Sequence, residues 1–229
     1  MALTLISRSG WGAAPPESRT PWDVSKLEGI CLHWFGSPRA ASSHAGCDDL
    51  LRSVQRSHMA GEFSDIAYNI GVCPHGSRYE LRGWNIQTGA NGNADLNRRF
   101  LAVVYMAGVG DGLTPAGRDG LIAVFREAFL RGVGEKAAGH GQLTGSTECP
   151  GPQLRNFLAS GVWRPVPPKP KVRYLLMDGD GKQIGSPSTS FVPGKDEKTV
   201  LTAWFNRRAA DALRELRADG DIGIQRRKV

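Results

Sequence analysis

Apolar positions ahead of a proline-rich segment near residue 165 alternate between short continuous runs and helical spacing. Gly29-Ile-Cys-Leu-His-Trp34 has the length and composition of a buried strand. Over residues 44–59, Leu50, Leu51, Val54 and His58 recur at helical spacing. Asp65–Val72 and Arg78–Leu81, joined by the turn Pro74-His-Gly-Ser77, predict a hairpin. Phe100-Leu-Ala-Val-Val-Tyr-Met-Ala107 predicts the central strand. Thr114-Pro115 offers an N-cap and a first-turn proline. The helix they open places Leu121, Ile122, Phe125 and Phe129 on its buried side and ends near Gly132. Pro152–Ser160 predicts a last helix. This alternation predicts an α/β fold, a mixed central sheet flanked by helices.

Four prolines in the six residues Pro165–Pro170 fix φ and remove backbone donors, which predicts a stiff extended spacer. The chain thus reads as a domain over 1–163, a linker over 164–171 and a small α+β domain over 172–229. In the last, Val172–Met177 and Gln183–Gly185 flank Asp-Gly-Asp-Gly, a hairpin turn signal. Residues 197–217 predict an amphipathic helix with Val200, Leu201, Trp204, Phe205, Leu213 and Leu216 on one side. Asp178-Gly-Asp180 does not continue as a calcium loop, because Lys182 and Gln183 stand where a ligand oxygen and a glycine are needed.

Charge changes the picture only for the tail. The formal charge of +7 is concentrated there: residues 164–229 hold 14 Lys/Arg against 8 Asp/Glu, and residues 1–163 hold 15 against 14. Anionic partners suit such a tail. Zinc-finger spacing, a Walker loop and an aromatic RNA-binding signature are missing, so nucleic acid is not expected. No apolar run reaches membrane-spanning length, and the first residues lack the pattern of a secretory signal. Four scattered cysteines in 229 residues do not make a disulfide scaffold and fit a reducing compartment.

The richest chemistry lies in Gly139-His-Gly-Gln-Leu-Thr-Gly-Ser-Thr-Glu-Cys-Pro-Gly151, read as a loop. His140 and Cys149 sit nine positions apart, and imidazole with thiolate suits Zn²⁺. A catalytic zinc takes three protein ligands, and His33, closing the run Ile30-Cys-Leu, is placed to be the third. The spacing alone equally fits a loop histidine beside a buried free cysteine, and His33 alone fits a core histidine. His44, His58 and His75 read as a pre-helix, a helix-face and a turn residue. Cys31 and Cys73 read as small buried apolar side chains.

Several segments, in order, resemble the type-2 N-acetylmuramoyl-L-alanine amidases, a family that includes bacteriophage endolysins and animal peptidoglycan recognition proteins. They are Ile6-Ser-Arg-Ser-Gly-Trp-Gly-Ala13, Cys31-Leu-His-Trp34, Asp65-Ile-Ala-Tyr-Asn69, Arg78-Tyr-Glu-Leu-Arg-Gly-Trp-Asn85 and Thr147-Glu-Cys-Pro-Gly151. The resemblance runs over about residues 6–163. It implies that His33, His140 and Cys149 bind Zn²⁺, and that Tyr68 and Thr147 are catalytic. It also places Arg82, Trp84, Asn85 and Asn91 along the substrate groove. Glu148 is a candidate to orient a histidine ligand, though a solvated loop carboxylate is the simpler reading.

Two features depart from the family pattern: bulky Trp34 follows the first ligand, and the interval from His140 to Cys149 is one residue longer than usual. Cys47 resembles the first cysteine of a bridge in animal members, but Ser64 holds the partner position, so that bridge is not expected. The implied activity is hydrolysis of the amide between N-acetylmuramic acid and L-alanine by zinc-activated water. In an endolysin setting, the protein stays in the host cytoplasm until a separate membrane-permeabilising protein releases it to the wall. Its C-terminal domain would hold anionic wall polymers. Two alternatives are a non-catalytic peptidoglycan-binding protein and a cytosolic wall-recycling amidase. The complete ligand set favours catalysis over the first.

Overall fold

The structure, a computed structural model, describes residues 5–37, 40–165, 172–177, 183–184 and 223–228. The chain divides into two compact units, Met1–Pro165 and Val166–Val229. In chain order the first contains β1 (Gly29–Gly36), α1 (Gly46–Met59), β2 (Ile70–Val72), β3 (Arg78–Glu80) and α2 (Ala94–Arg99). There follow β4 (Phe100–Gly108), α3 (Pro115–Leu130), β5 (Lys136–Gly139), α4 (His140–Thr144) and α5 (Pro152–Ser160).

The strands form one mixed sheet in the order β3-β2-β4-β1-β5. All pairings are parallel except that of β3 with β2. Strand β4 is buried along its whole length, which explains its unbroken apolar sequence: a central parallel strand is covered on both faces. Its side chains alternate between two cores. Leu101, Val103, Tyr105 and Ala107 join Ile30 and Leu32 of β1 beneath α3 and α5, whereas Val104 and Met106 pack with Leu51 and Val54 of α1. The sheet thus lies between helical layers.

Helix α3 begins as its sequence requires, with the Thr114 hydroxyl accepting from the Gly117 N–H and Pro115 in the first turn. Leu121, Val124 and Phe125 are fully buried, each contributing about 1.5–3 kcal/mol through its apolar surface. Ile122 and Phe129, expected on the buried side, are only partly covered at its margin.

The strand expected over 65–72 begins only at Ile70. Asp65 and Asn69 explain the difference by taking the neighbouring backbone groups as side-chain partners. Asp65 Oδ1 accepts from the Ile66 N–H, and the Asn69 carboxamide donates to Gly83 O and Ile86 O while accepting from the Ala102 N–H. The segment is therefore a pinned loop.

In the second unit, β6 (Val172–Met177) pairs antiparallel with β7 (Gln183–Ile184), as the hairpin signal predicts. A further strand, β8 (Gly223–Lys228), pairs antiparallel with β6 on its other edge and has no counterpart in the sequence reading. The expected helix over 197–217, the Asp-Gly turn and linker residues 166–171 lie outside the described residues.

Candidate functional site

His33 lies near the end of β1 and is almost completely buried, 2% exposed. Its Nε2 lies 2.9 Å from Asn91 Oδ1. The Asn91 amide nitrogen donates to Leu96 O at 3.1 Å and Phe100 O at 2.8 Å, which fixes the carboxamide with its oxygen toward His33. Nε2 must then carry the proton, and Nδ1 offers its lone pair on the opposite side. Cys149 Sγ lies on that side, 3.7 Å from Nδ1. Burial, with a smaller contribution from His140, lowers the His33 pKa to about 3 against the Asn91 hydrogen bond, so the ring is neutral at physiological pH.

His140 is the first residue of α4, directly after β5, and not a member of an open loop. Leu32 of β1 pairs with Gly139 of β5, the last pair of that ladder, and His33 and His140 directly follow it, the first still on β1 and the second opening α4. Their ring centroids are 4.8 Å apart, the ordinary spacing between strands. Gly92, at φ +89°, clears space for the second ring, since a Cβ there would lie 2.9 Å from His140 Nε2. Burial also lowers the His140 pKa.

The third candidate arrives on the loop after α4, which folds back onto that helix. The Gly141 N–H donates to Cys149 O at 2.7 Å, and a Cβ on Gly141 would sit 1.9 Å from Thr147 O. Only glycine permits this approach. Thr147 Oγ1 accepts from the Cys149 N–H at 3.2 Å, and Gly151 N–H donates to Glu148 O at 2.7 Å. Burial raises the Cys149 thiol to about 11, and the Trp34 backbone N–H opposes that shift. Metal binding would displace the proton and supply the charge compensation that the buried thiolate needs.

The candidate ligand atoms of His33, His140 and Cys149 all lie within 4.8 Å of one another. Two neutral imidazoles and one thiol suit Zn²⁺, and three protein donors match the usual catalytic count. Asn91 supplies the outer hydrogen bond that fixes a metal-binding histidine. The donor set therefore fits the metal.

Tyr68 faces this cluster with its ring centroid 5.3 Å from that of His33. Burial, reinforced by Cys149 and Cys31, raises its pKa, so the phenol remains an O–H donor. The loop carrying it is braced from several directions. Arg8 pairs with Asp65 at 2.9 Å, Gln55 donates to Asp65 at 2.7 Å, and His58 Nδ1 accepts from the Ala67 N–H at 3.0 Å.

Three of the four expected groove residues have internal partners. The Arg82 guanidinium donates to Ile66 O and Gln87 O at 2.7 and 2.9 Å, and more weakly to Asp65 O, bracing the Tyr68 loop. Trp84 belongs to the core under α3, with the Arg131 guanidinium 4.6 Å from its ring centroid. Asn91 is fully buried behind His33. Asn85 is exposed.

The other departures also have physical causes. Trp34 follows His33 on a strand, so its indole faces the opposite side, where it packs over Gly151 and not into the histidine pocket. Glu148 points away to an ion pair with Arg155 at 3.2 Å and orients neither histidine. Thr147 is exposed. Sequence reasoning also missed a second grouping, His44, Cys47, Cys73 and His75, whose signal was the paired short spacings His44-x2-Cys47 and Cys73-x-His75.

No protein-family model matches the chain. It is 30% identical over 161 residues to peptidoglycan-recognition protein SC2 of Drosophila simulans, covering 68% of this chain and 85% of that one. It is 29% identical over 157 residues to peptidoglycan-recognition protein SC1a of Drosophila melanogaster, covering 66% and 82%. Among solved structures, Drosophila PGRP-LB superposes with a TM-score of 0.63 at 25% identity, covering 69% of this chain and 93% of that one. A substituted PGRP-LB bound to tracheal cytotoxin gives 0.62 at 24%, covering 68% and 93%. With shared identity across most of the relative and a matching sheet and helical layers, the chain belongs to the peptidoglycan-recognition protein family.

Proposed function

We propose that this protein is a zinc-dependent amidase that cleaves peptidoglycan between N-acetylmuramic acid and the first L-alanine of the stem peptide. One observation carries the proposal: His33, His140 and Cys149 converge, with Asn91 turning the His33 Nδ1 lone pair into the cluster. Family membership supports the substrate class, as do the relatives: a substituted PGRP-LB and PGRP-LE form complexes with tracheal cytotoxin, described with PGRP-LE as monomeric diaminopimelic acid-type peptidoglycan. His33, His140 and Cys149 would hold the metal. When bound, zinc supplies Lewis acidity toward the amide carbonyl and lowers the pKa of a coordinated water.

The remaining roles belong to the chain. Tyr68 keeps its proton and donates its O–H toward the carbonyl oxygen as negative charge grows there. Thr147 holds the Cys149 backbone and presents an exposed hydroxyl that can steer the substrate carbonyl, without adding charge. Neutral imidazoles and a thiolate together carry one negative charge, so a bound dication keeps one positive charge facing the substrate.

The same reading assigns the protein an endolysin role: cytoplasmic accumulation, release by a separate membrane-permeabilising protein, and wall anchoring through the basic residues of 164–229. Among the described residues no helix is long and apolar enough to cross a membrane.

The test incubates purified sacculi with the full chain, with and without a zinc chelator, and assays both new alanine amino groups and new reducing sugar ends. Chelator-sensitive release of alanine amino groups supports the assignment. Sacculi that bind the protein uncut indicate a recognition protein, and new sugar ends indicate a glycosidase.

A further inference from the structure

His44, Cys47, Cys73 and His75 form a second cluster, on elements other than those that carry His33, His140 and Cys149. Their candidate ligand atoms all lie within 4.8 Å of one another. The contacts cross between two chain segments: Cys47 Sγ lies 3.5 Å from His75 Nδ1, and Cys73 Sγ lies 4.0 Å from His44 Nδ1. Both cysteines are fully buried, and both imidazoles reach them from the exposed side.

Each half is shaped by a turn. The Cys47 N–H donates to His44 O at 3.0 Å, so the approach to α1 holds that pair together. In the second half, the Gly76 N–H donates to Cys73 O at 2.9 Å and the Cys73 N–H to Ser77 O at 3.0 Å, closing the β2–β3 turn. On the far side of the His44 ring, Nε2 lies 3.5 Å from Ser77 Oγ, an outer contact of the sort that orients a ligating imidazole.

A third observation points the same way. The Tyr79 hydroxyl, in the same packed core as Cys47 and Cys73, is buried without a well-formed hydrogen bond, its polar neighbours being Cys47 and Asp48. A buried hydroxyl lacking a good acceptor is costly, and a thiolate sulfur at Cys47 would be a better one than the thiol. The cluster lies two strands from His33, with β4 between, or about 10 Å sideways at ordinary strand spacing.

We propose that these four residues bind a zinc ion as a structural clip that fastens the start of α1 to the β2–β3 turn. The donor count separates it from the catalytic candidate: four protein ligands, two sulfur and two nitrogen, make the closed tetrahedral set of a structural zinc. Binding releases the two thiol protons to solvent and involves no change of oxidation state. The competing arrangement, a Cys47–Cys73 disulfide, would leave both imidazoles without a role.

The test uses the full chain purified under reductant, in a Cys149→Ala background that removes the thiol of the catalytic candidate. Cobalt(II) titration should give thiolate-to-cobalt charge-transfer absorption, and one equivalent of zinc should abolish it. Adding His44→Asn and His75→Asn removes exposed ligands, which spares the core. Those changes should weaken cobalt and zinc binding by more than the roughly 10–100-fold that losing an outer partner costs. Circular dichroism checks that the variants are folded.

A folded Cys149→Ala chain with no thiolate-to-cobalt absorption would overturn the proposal. So would an unchanged signal in the doubly substituted histidine variant, or a Cys47–Cys73 disulfide found by mass spectrometry in the reduced preparation. Because the readout is metal binding without Cys149, failure of the amidase assignment leaves this test intact.

Discussion

Asn91→Ala should separate the folding role of this side chain from its role in holding His33. Truncation leaves the buried His33 Nε2–H without its acceptor and takes the Asn91 donor from Phe100 O and from Leu96 O, the latter keeping the Phe100 N–H that caps α2. A buried group stripped of its hydrogen bond costs about 1–3 kcal/mol, and water entering the space returns part of that, so a net loss of about 2–3 kcal/mol is expected. The imidazole also becomes free to move its proton to Nδ1, the nitrogen that faces Cys149.

Losing such an outer partner weakens metal binding by roughly 10–100-fold, or about 1.4–2.7 kcal/mol. Urea unfolding of metal-free protein reads the first quantity, and competition with a chromophoric chelator reads the second. Asn91→Asp separates them. It keeps an acceptor for the Nε2–H, so zinc affinity stays near that of the parent chain, but its carboxylate confronts two carbonyl oxygens and stability falls. If folded Asn91→Ala binds zinc as tightly as the parent, or if both variants lose affinity in proportion to stability, the positioning role is wrong.

Metal-free protein should lose stability as pH falls through the range set by His33. Its folded pKa of about 3 lies below the ordinary 6.5, so the unfolded chain takes up the proton first; this contribution is full above pH 6.5 and drains toward pH 3. The slope is at most about 1.4 kcal/mol per pH unit from His33, with His140 acting in the same direction. Urea midpoints across that range should flatten in His33→Gln; an unchanged slope would count against the burial argument. Gly141→Ala forces a Cβ against Thr147 O and should cost about 1–3 kcal/mol and weaken zinc binding, because the strain falls on the Cys149 loop. Calorimetric zinc titration that matches the parent would contradict this. Arg82→Ala should lower the melting temperature through loss of about 2 kcal/mol while leaving KM for wall fragments unchanged, since its donors serve Ile66 O and Gln87 O. A raised KM at unaltered stability would return Arg82 to the substrate groove.

The sequence showed most clearly those elements whose partners are local or whose burial is two-sided. The unbroken apolar run of β4 and the Thr114-Pro115 start of α3 are examples. β5, with sequence Lys-Ala-Ala-Gly, carries no comparable pattern, and its strand character comes from pairing with β1. α2 is only six residues long and depends on Asn93 accepting from the Leu96 N–H.

In the site, the three candidate ligands were legible from residue type and family resemblance. The internal contacts of Arg82, Trp84 and Asn91 were not, because a polar or aromatic side chain near a site reads the same whether it faces the ligand or props up the wall. His44, Cys47, Cys73 and His75 were overlooked because each pair is short and the two pairs meet only when α1 packs on the β2–β3 turn.

The alignment of Leu32 with Gly139 makes the backbone ladder a caliper for the two imidazoles. Repacking the core beneath them can change stability without altering their separation, because peptide hydrogen bonds hold the jaws. Sliding β5 by a single rung would displace the start of α4, and His140 with it, and dismantle the pocket with every ligand still in the chain. In this fold, strand alignment matters to a metal pocket as much as the identity of its donors.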